Sequence, residues 1–264
     1  MRGEKMDLFG GGSDLQSVAD EIYGGSAEIP DSGRVVARPT PIEAIWADVK
    51  QPRRAIPLSI RMHWDGNPGA VPKLLDQWLK VAQDGAGVTF DVPALLNGSG
   101  DGFDTDNFPS VSQEFLALAR LAQGIKADGL INPITVIESD GKLLIESGER
   151  RWLAYHLLHM YLGETWARIA AAKGNTNDSV WRQATENTAR RALNPIGMAR
   201  QIALLIMAAR GTPPMASGTQ YIDYEEIVKN GTCDRRFYAQ VADGNIHRIP
   251  KGMSERIEGA MGLS

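Results

Sequence analysis

The chain has 264 residues, 43% of them hydrophobic and 23% charged, the composition of a globular protein with one large domain or two modest ones. No apolar run approaches the ~20 residues that cross a bilayer, and the single cysteine, Cys233, excludes an internal disulfide and suits a reducing cytoplasm. A net charge of −4 argues against a nucleic-acid partner only until the charges are located.

Residues 1–33 hold seven acids (Glu4, Asp7, Asp14, Asp20, Glu21, Glu28, Asp31) against Arg2 and Lys5. Rich in Gly and Ser and without periodicity, they read as a disordered acidic tail. Met1 to Ser13 is glycine-rich where a secretory signal would be apolar, so a cytoplasmic protein is expected. Residues 147–210, by contrast, carry nine bases against Glu149, Glu164, Asp178 and Glu186. The acidic tail masks a basic middle, and a phosphate backbone feels the local patch; a solvated surface accounts for the same charges equally well.

After the tail, Arg34 to Ala37 reads as extended until Pro39 and Pro41 interrupt it. Pro52 then forces Gln51 into an extended conformation and directs Arg53 and Arg54. Lys73 to Gln83 has helical spacing, with Leu74, Trp78 and Val81 on one face. Asp101, Asp104 and Asp106 lack the spacing of a calcium loop and read as a solvated acidic turn. Ser112-Gln113-Glu114 opens a helix to about Ala127, apolar at Phe115, Leu118, Leu121, Ala122 and Ile125 and closed by Gly129. Ile134–Glu138 and Lys142–Glu146 read as strands joined through Asp140-Gly141, a strong hairpin signal. Ser147-Gly148 leads into a helix from Glu149 to about Tyr161, followed by a strand at Trp166–Ala171 and helices at Ser179–Ala192 and Pro195–Arg210, the latter capped by Asn194. Beyond a linker at 211–219, short helices are expected at Tyr224–Lys229, Asp234–Ala242 and Met253–Met261.

The chemistry concentrates at Gly148-Glu149-Arg150-Arg151. Glycine lets a ligand approach the backbone, unpaired N–H groups and the helix dipole point at it, and two guanidinium forks suit phosphate oxygens. Taken alone, such a string is an ordinary surface helix start.

Its neighbours give it more meaning. Gln51-Pro52-Arg53-Arg54, Gly129-Leu130-Ile131-Asn132-Pro133-Ile134, Gly148-Glu149-Arg150-Arg151-Trp152-Leu153-Ala154, and Glu186-Asn187 with Arg190-Arg191 and Leu193-Asn194-Pro195-Ile196 follow one another in order. They resemble the four boxes of the ParB/sulfiredoxin-like family, over roughly residues 42–57 and 112–210. The resemblance implies an α+β fold: a small mixed sheet with helices over 34–175, carrying an insertion at about 58–110, then an all-α helix-turn-helix part over 176–264. It also implies CTP and Mg2+ as ligands. Arg53, Gly148, Arg150 and Arg151 would hold the triphosphate, and Gly129, Asn132 and Pro133 would line the base pocket. Glu186 and Asn187 would place the metal, and Gln51 and Glu149 are candidates for positioning a hydrolytic water in a weak CTPase. Asn132 stands where the family usually has Gln, and Gly197 where it has Glu.

Around the turn Asn230-Gly231-Thr232 the spacing is that of a helix-turn-helix, with Arg235, Arg236, Tyr238 and Gln240 as candidates to face a major groove. The implied protein is a homodimeric, CTP-gated clamp on double-stranded DNA with no membrane role, acting in plasmid, chromosome or mobile-element partition beside a partition ATPase. The competing expectations are a ParB-like nuclease and a non-catalytic transcriptional regulator. Redox chemistry of the sulfiredoxin kind is excluded, because Glu149 occupies the position of the required cysteine.

Overall fold

The computed structural model describes residues 36–99, 102–175, 179–189, 193, 195–211, 242 and 248–262. Its contacts divide the chain into Met1–Val36 and Ala37–Ser264, and only the second unit is described below. The expected acidic tail, residues 1–33, lies outside the described residues.

Five strands make one mixed sheet: β1 (Arg38–Pro41), β2 (Ile45–Trp46), β3 (Ile134–Ser139), β4 (Lys142–Ser147) and β5 (Arg168–Lys173), in the order β1-β5-β3-β4-β2. The β3–β4 hairpin forms where alternation predicted it. Asp140 and Gly141 take φ of 50° and 72°, the left-handed pair that matches strand twist in a two-residue turn. β1 pairs antiparallel with β5, while β5 with β3 and β4 with β2 run parallel. Pro39 and Pro41 do not interrupt a strand as expected; they sit within β1 at the sheet edge, where a missing N–H is tolerated.

Eleven residues, 47–57, separate Trp46 from α1 (Leu58–Arg61), and this short stretch carries the first box. The segment expected as an insertion, 58–110, continues with α2 (Val71–Ala86) and α3 (Val92–Leu96), which pack on α4 (Ser110–Asp128) and α5 (Glu149–Leu162). Trp78 meets Phe115 edge-on at 5.7 Å and Phe90 stacks on Phe115 at 6.4 Å, so this segment shares the main core. Two expectations change here. α2 buries Val71, Leu74, Leu75, Trp78 and Ala82, while Val81, expected on the same face, is exposed. Ser112 does not open α4, which starts at Ser110; it is buried, and its Oγ donates to the Ala82 carbonyl at 2.6 Å, tying α4 to α2.

α5 is buried around much of its girth because the sheet, α2 and α4 all contact it. After β5, α6 (Ser179–Ala189), α7 (Pro195–Ala209) and α8 (Ser254–Met261) form a second core around Ala184, Leu204, Leu205, Ile257 and Met261. α8 matches the third short helix expected from sequence. Asn194, the turn at 230–232, the helix expected over 224–229 and the candidates Arg235, Arg236, Tyr238 and Gln240 lie outside the described residues. The described fold is therefore mixed α+β.

Candidate functional site

Glycine at 148 follows directly from local geometry. Its φ is 99°, and a Cβ there would stand 2.7 Å from Ile134 Cγ2 and 3.0 Å from Arg151 Nη2. The chain can thus turn from β4 into α5 only with no side chain at this point. The first turn of α5 closes with Trp152 N–H donating to the Gly148 carbonyl at 3.1 Å, so the N–H groups of Glu149, Arg150 and Arg151 lie ahead of the helical ladder. Gly148 contributes no capping side chain of its own.

A cavity of about 520 Å³ opens over this turn. Gln51, Arg53, Arg54 and Ala55 line it from the loop after β2, and Glu146 to Arg151 from the β4–α5 turn. Gln183, Glu186 and Asn187 come from α6, and Glu114 and Leu121 from α4. The spacing of the α6 residues, i, i+3 and i+4, puts them on one face of that helix. Three of the four sequence boxes therefore meet in one cavity of the size that small-molecule ligands occupy.

The fourth box enters differently. Arg151 Nη1 donates to the carbonyl oxygens of Asn132 and Pro133, the latter at 2.8 Å, so this arginine ties the 129–133 loop to the first turn of α5. Gly129 caps α4 by donating its N–H to Ile125 and does not line the cavity, nor do Asn132 and Pro133. Arg150 is exposed at the cavity mouth.

The two candidates for positioning water are both engaged in holding the walls. Gln51 is buried, and its Nε2 donates to the carbonyls of Ile145 and Glu146, the latter at 2.8 Å, which pins the first box to the end of β4. Glu149 Oε1 accepts from Arg54 Nε at 3.1 Å, and its Oε2 accepts from the Ala55 N–H at 2.8 Å. The Arg54 and Glu149 side chains are only 3% and 8% exposed, so this is a buried ion pair.

Several contributors are not apparent in the sequence boxes. Glu146 is buried and accepts two N–H groups from Arg182, at 3.0 and 2.8 Å, joining β4 to α6. Asn187 Nδ2 donates to Gln201 Oε1 at 2.9 Å; Gln201 is fully buried, and its Nε2 has no partner among the described residues. Gln183 was legible as the i−3 neighbour of Glu186, whereas nothing local marks Arg182 or Gln201. Burial pushes the Glu114 carboxyl up, against the pull of Arg150, and burial likewise pushes Asp48 up, against Lys50 and Arg54.

Four arginines and four glutamates line the cavity, but the glutamates are not equivalent. Glu146 pairs with Arg182 and Glu149 with Arg54, and among the other lining residues Arg53, Arg150 and Arg151 outnumber Glu114 and Glu186. Such a wall favours an anion, with Glu186 and Asn187 opposite as hard oxygen donors. No group of three or more His, Cys, Asp or Glu side chains suited to a metal occurs among the described residues. The donor set fits magnesium shared with phosphate oxygens, which needs only one or two protein ligands, and not a cage made by protein alone. No protein-family model matches the sequence, and no curated protein matches it.

Proposed function

We propose that this chain is a ParB-like, nucleotide-gated DNA-binding protein whose cavity takes the triphosphate of CTP together with Mg2+. The observation that carries the reading is the convergence of residues 51–55, 146–151 and 183–187 on one cavity at the N-terminal end of α5. The main-chain N–H groups of the first turn and the guanidinium groups of Arg53 and Arg150 would bind phosphate oxygens. Arg151 would act on the same ligand while holding the 129–133 loop, which carries the residues proposed for the base. Glu186 and the Asn187 amide oxygen would hold Mg2+ jointly with the phosphates; the metal would neutralise charge there.

A ligand that touches β4, α5 and α6 at once favours the arrangement in which those elements are closed on it. Coupling this closure to a homodimer on double-stranded DNA would give a clamp gated by CTP, with a partition ATPase as its partner. Hydrolysis is not needed for such gating, and Gln51 or Glu149 would have to leave its present bonds to position a water.

Calorimetric titration of CTP, ATP and GTP with magnesium tests the reading, using Arg150→Ala as the control. Arg150 is exposed, and its loss should weaken CTP by about tenfold or more at unchanged thermal stability. Equal affinity for all ligands in wild type and variant would refute a phosphate role for this box.

A further inference from the structure

The loop that carries the first box has no regular secondary structure of its own between Trp46 and Leu58, yet it must hold Arg53 and Arg54 at a cavity wall. Its support comes from the segment just after α1. The Ala47 N–H donates to the Gly66 carbonyl at 3.0 Å. Gly66 has φ 91°, and a Cβ on it would stand 2.3 Å from the Ala47 oxygen. The two backbones therefore touch, and only glycine permits the approach.

Two residues earlier, Trp64 is 6% exposed, and its ring lies 5.4 Å from Arg54 Cζ. The other side of the Trp64 environment is equally constrained. Its ring stacks on Trp152 at 6.4 Å with a 9° interplanar angle, and its Nε1 donates to the Asn67 carbonyl at 2.9 Å. Trp152 is itself fixed by donation of its Nε1 to the Ile42 carbonyl at 3.0 Å. Arg54 is thus held between an aromatic wall and Glu149, and its Nη2 is buried with no partner among the described residues. A buried guanidinium with an unused donor has little reason to stay in place unless its surroundings fix it.

We infer that Trp64, supplied by the 58–110 insertion, is a positioning residue for the phosphate site: it clamps Arg54 onto Glu149 and so locks the first turn of α5 to the loop at 51–55. The chain of contacts runs from Trp64 to Arg54, from Arg54 to Glu149, and from Glu149 to the Ala55 N–H. Every link but the first lies within cavity-lining residues, so Trp64 gives the insertion a side-chain contact with the site. The cation–π contact is strongest when desolvated, as it is here, and Phe retains a face where Leu does not. This inference rests on the reading that the cavity takes phosphate groups, but the clamp itself exists without a ligand.

The test compares wild type, Trp64→Phe, Trp64→Leu and Arg54→Lys, the last keeping the charge while losing the planar fork. Amide hydrogen exchange of Ala55 and of residues 149–152 is followed without ligand, and binding of CTP–Mg2+ and of inorganic triphosphate by calorimetry. Trp64→Leu and Arg54→Lys should speed exchange at Ala55 by about tenfold or more and weaken both ligands about tenfold. Trp64→Phe should stay within about threefold of wild type in both readouts. Exchange at Leu118 and Ala119, on α4 away from the clamp, should not change, which separates a local release from general loosening. Unchanged exchange at Ala55 in Trp64→Leu overturns the clamp, as does uniform loosening of all these amides. Wild type that binds neither ligand refutes the phosphate reading instead, while the exchange pattern still decides the clamp.

Discussion

Replacing Gly148 by Ala tests the turn on which the site is built. Two costs add. At φ 99° a side chain is forced into the left-handed half of backbone space, at about 1–2 kcal/mol. The new Cβ also falls 2.7 Å from Ile134 Cγ2, in a core position where Ile134 is fully buried and cannot swing away. Overpacking of this kind costs roughly 1–3 kcal/mol, so the total loss is about 2–5 kcal/mol. Gly141 supplies the control: its φ of 72° imposes the backbone cost, but nothing lies within 4 Å of its Cβ position. Gly141→Ala should therefore lose only about 1–2 kcal/mol. Urea unfolding at fixed pH, read by far-UV circular dichroism, gives both values. Ligand stabilisation in the same assay gives affinity, since CTP–Mg2+ at a hundred times its dissociation constant should add ~2.7 kcal/mol to wild type. Gly148→Ala should lose that increment and Gly141→Ala should keep it. Equal destabilisation by the two substitutions would refute the steric argument, and retention of the ligand increment in Gly148→Ala would refute close approach of phosphate to this turn.

Gln201→Leu should separate stability from ligand binding: it removes a buried Nε2 that has no partner among the described residues, so urea stability should hold or rise by roughly 1 kcal/mol. The same change leaves the Asn187 amide unoriented, and magnesium-dependent CTP affinity should fall about tenfold by calorimetry. His156 gives a pH prediction. Burial pushes it down to about 3, with His159 adding to the effect, so it is neutral in the fold but takes a proton in the unfolded chain below its ordinary 6.5. The unfolded state then binds more protons, and stability falls as pH drops below 6.5. The slope attributable to this residue approaches ~1.4 kcal/mol per pH unit. Between pH 6.5 and 5, where the carboxylates of the unfolded chain remain largely ionised, His156→Gln should flatten the measured slope; an unchanged slope would show that another group carries it.

Much of the local architecture was legible because it depends on a few consecutive residues. Asp140-Gly141 between two alternating runs required a hairpin, and Ser147-Gly148 before Glu149 required a strand to turn into a helix. Helical spacing found α4 and α5 to within a few residues. Of the four boxes, three supply cavity-lining residues, Gln51, Arg53, Gly148, Arg150, Arg151, Glu186 and Asn187, while Gly129, Asn132 and Pro133 of the fourth do not line it.

What each of those side chains touches was decided by the tertiary structure. Ser112 resembles a helix cap in sequence, but α2 supplies an acceptor at Ala82, and Pro39 and Pro41 resemble strand breakers until the strand is placed at an edge. Glu149 looks like a free acid on the first turn of a helix, yet Arg54 and Ala55 occupy both its oxygens from 95 and 94 positions away in the chain. Trp64 lies outside every sequence box, and its contacts with Trp152 and Arg54 arise only on folding. The sequence by itself determined the turns, the helices and the candidate phosphate box, because backbone preferences act over a few residues. Only the tertiary structure decided which charges are neutralised and which donors stay available, because those depend on partners that folding brings from distant segments into a space closed to water.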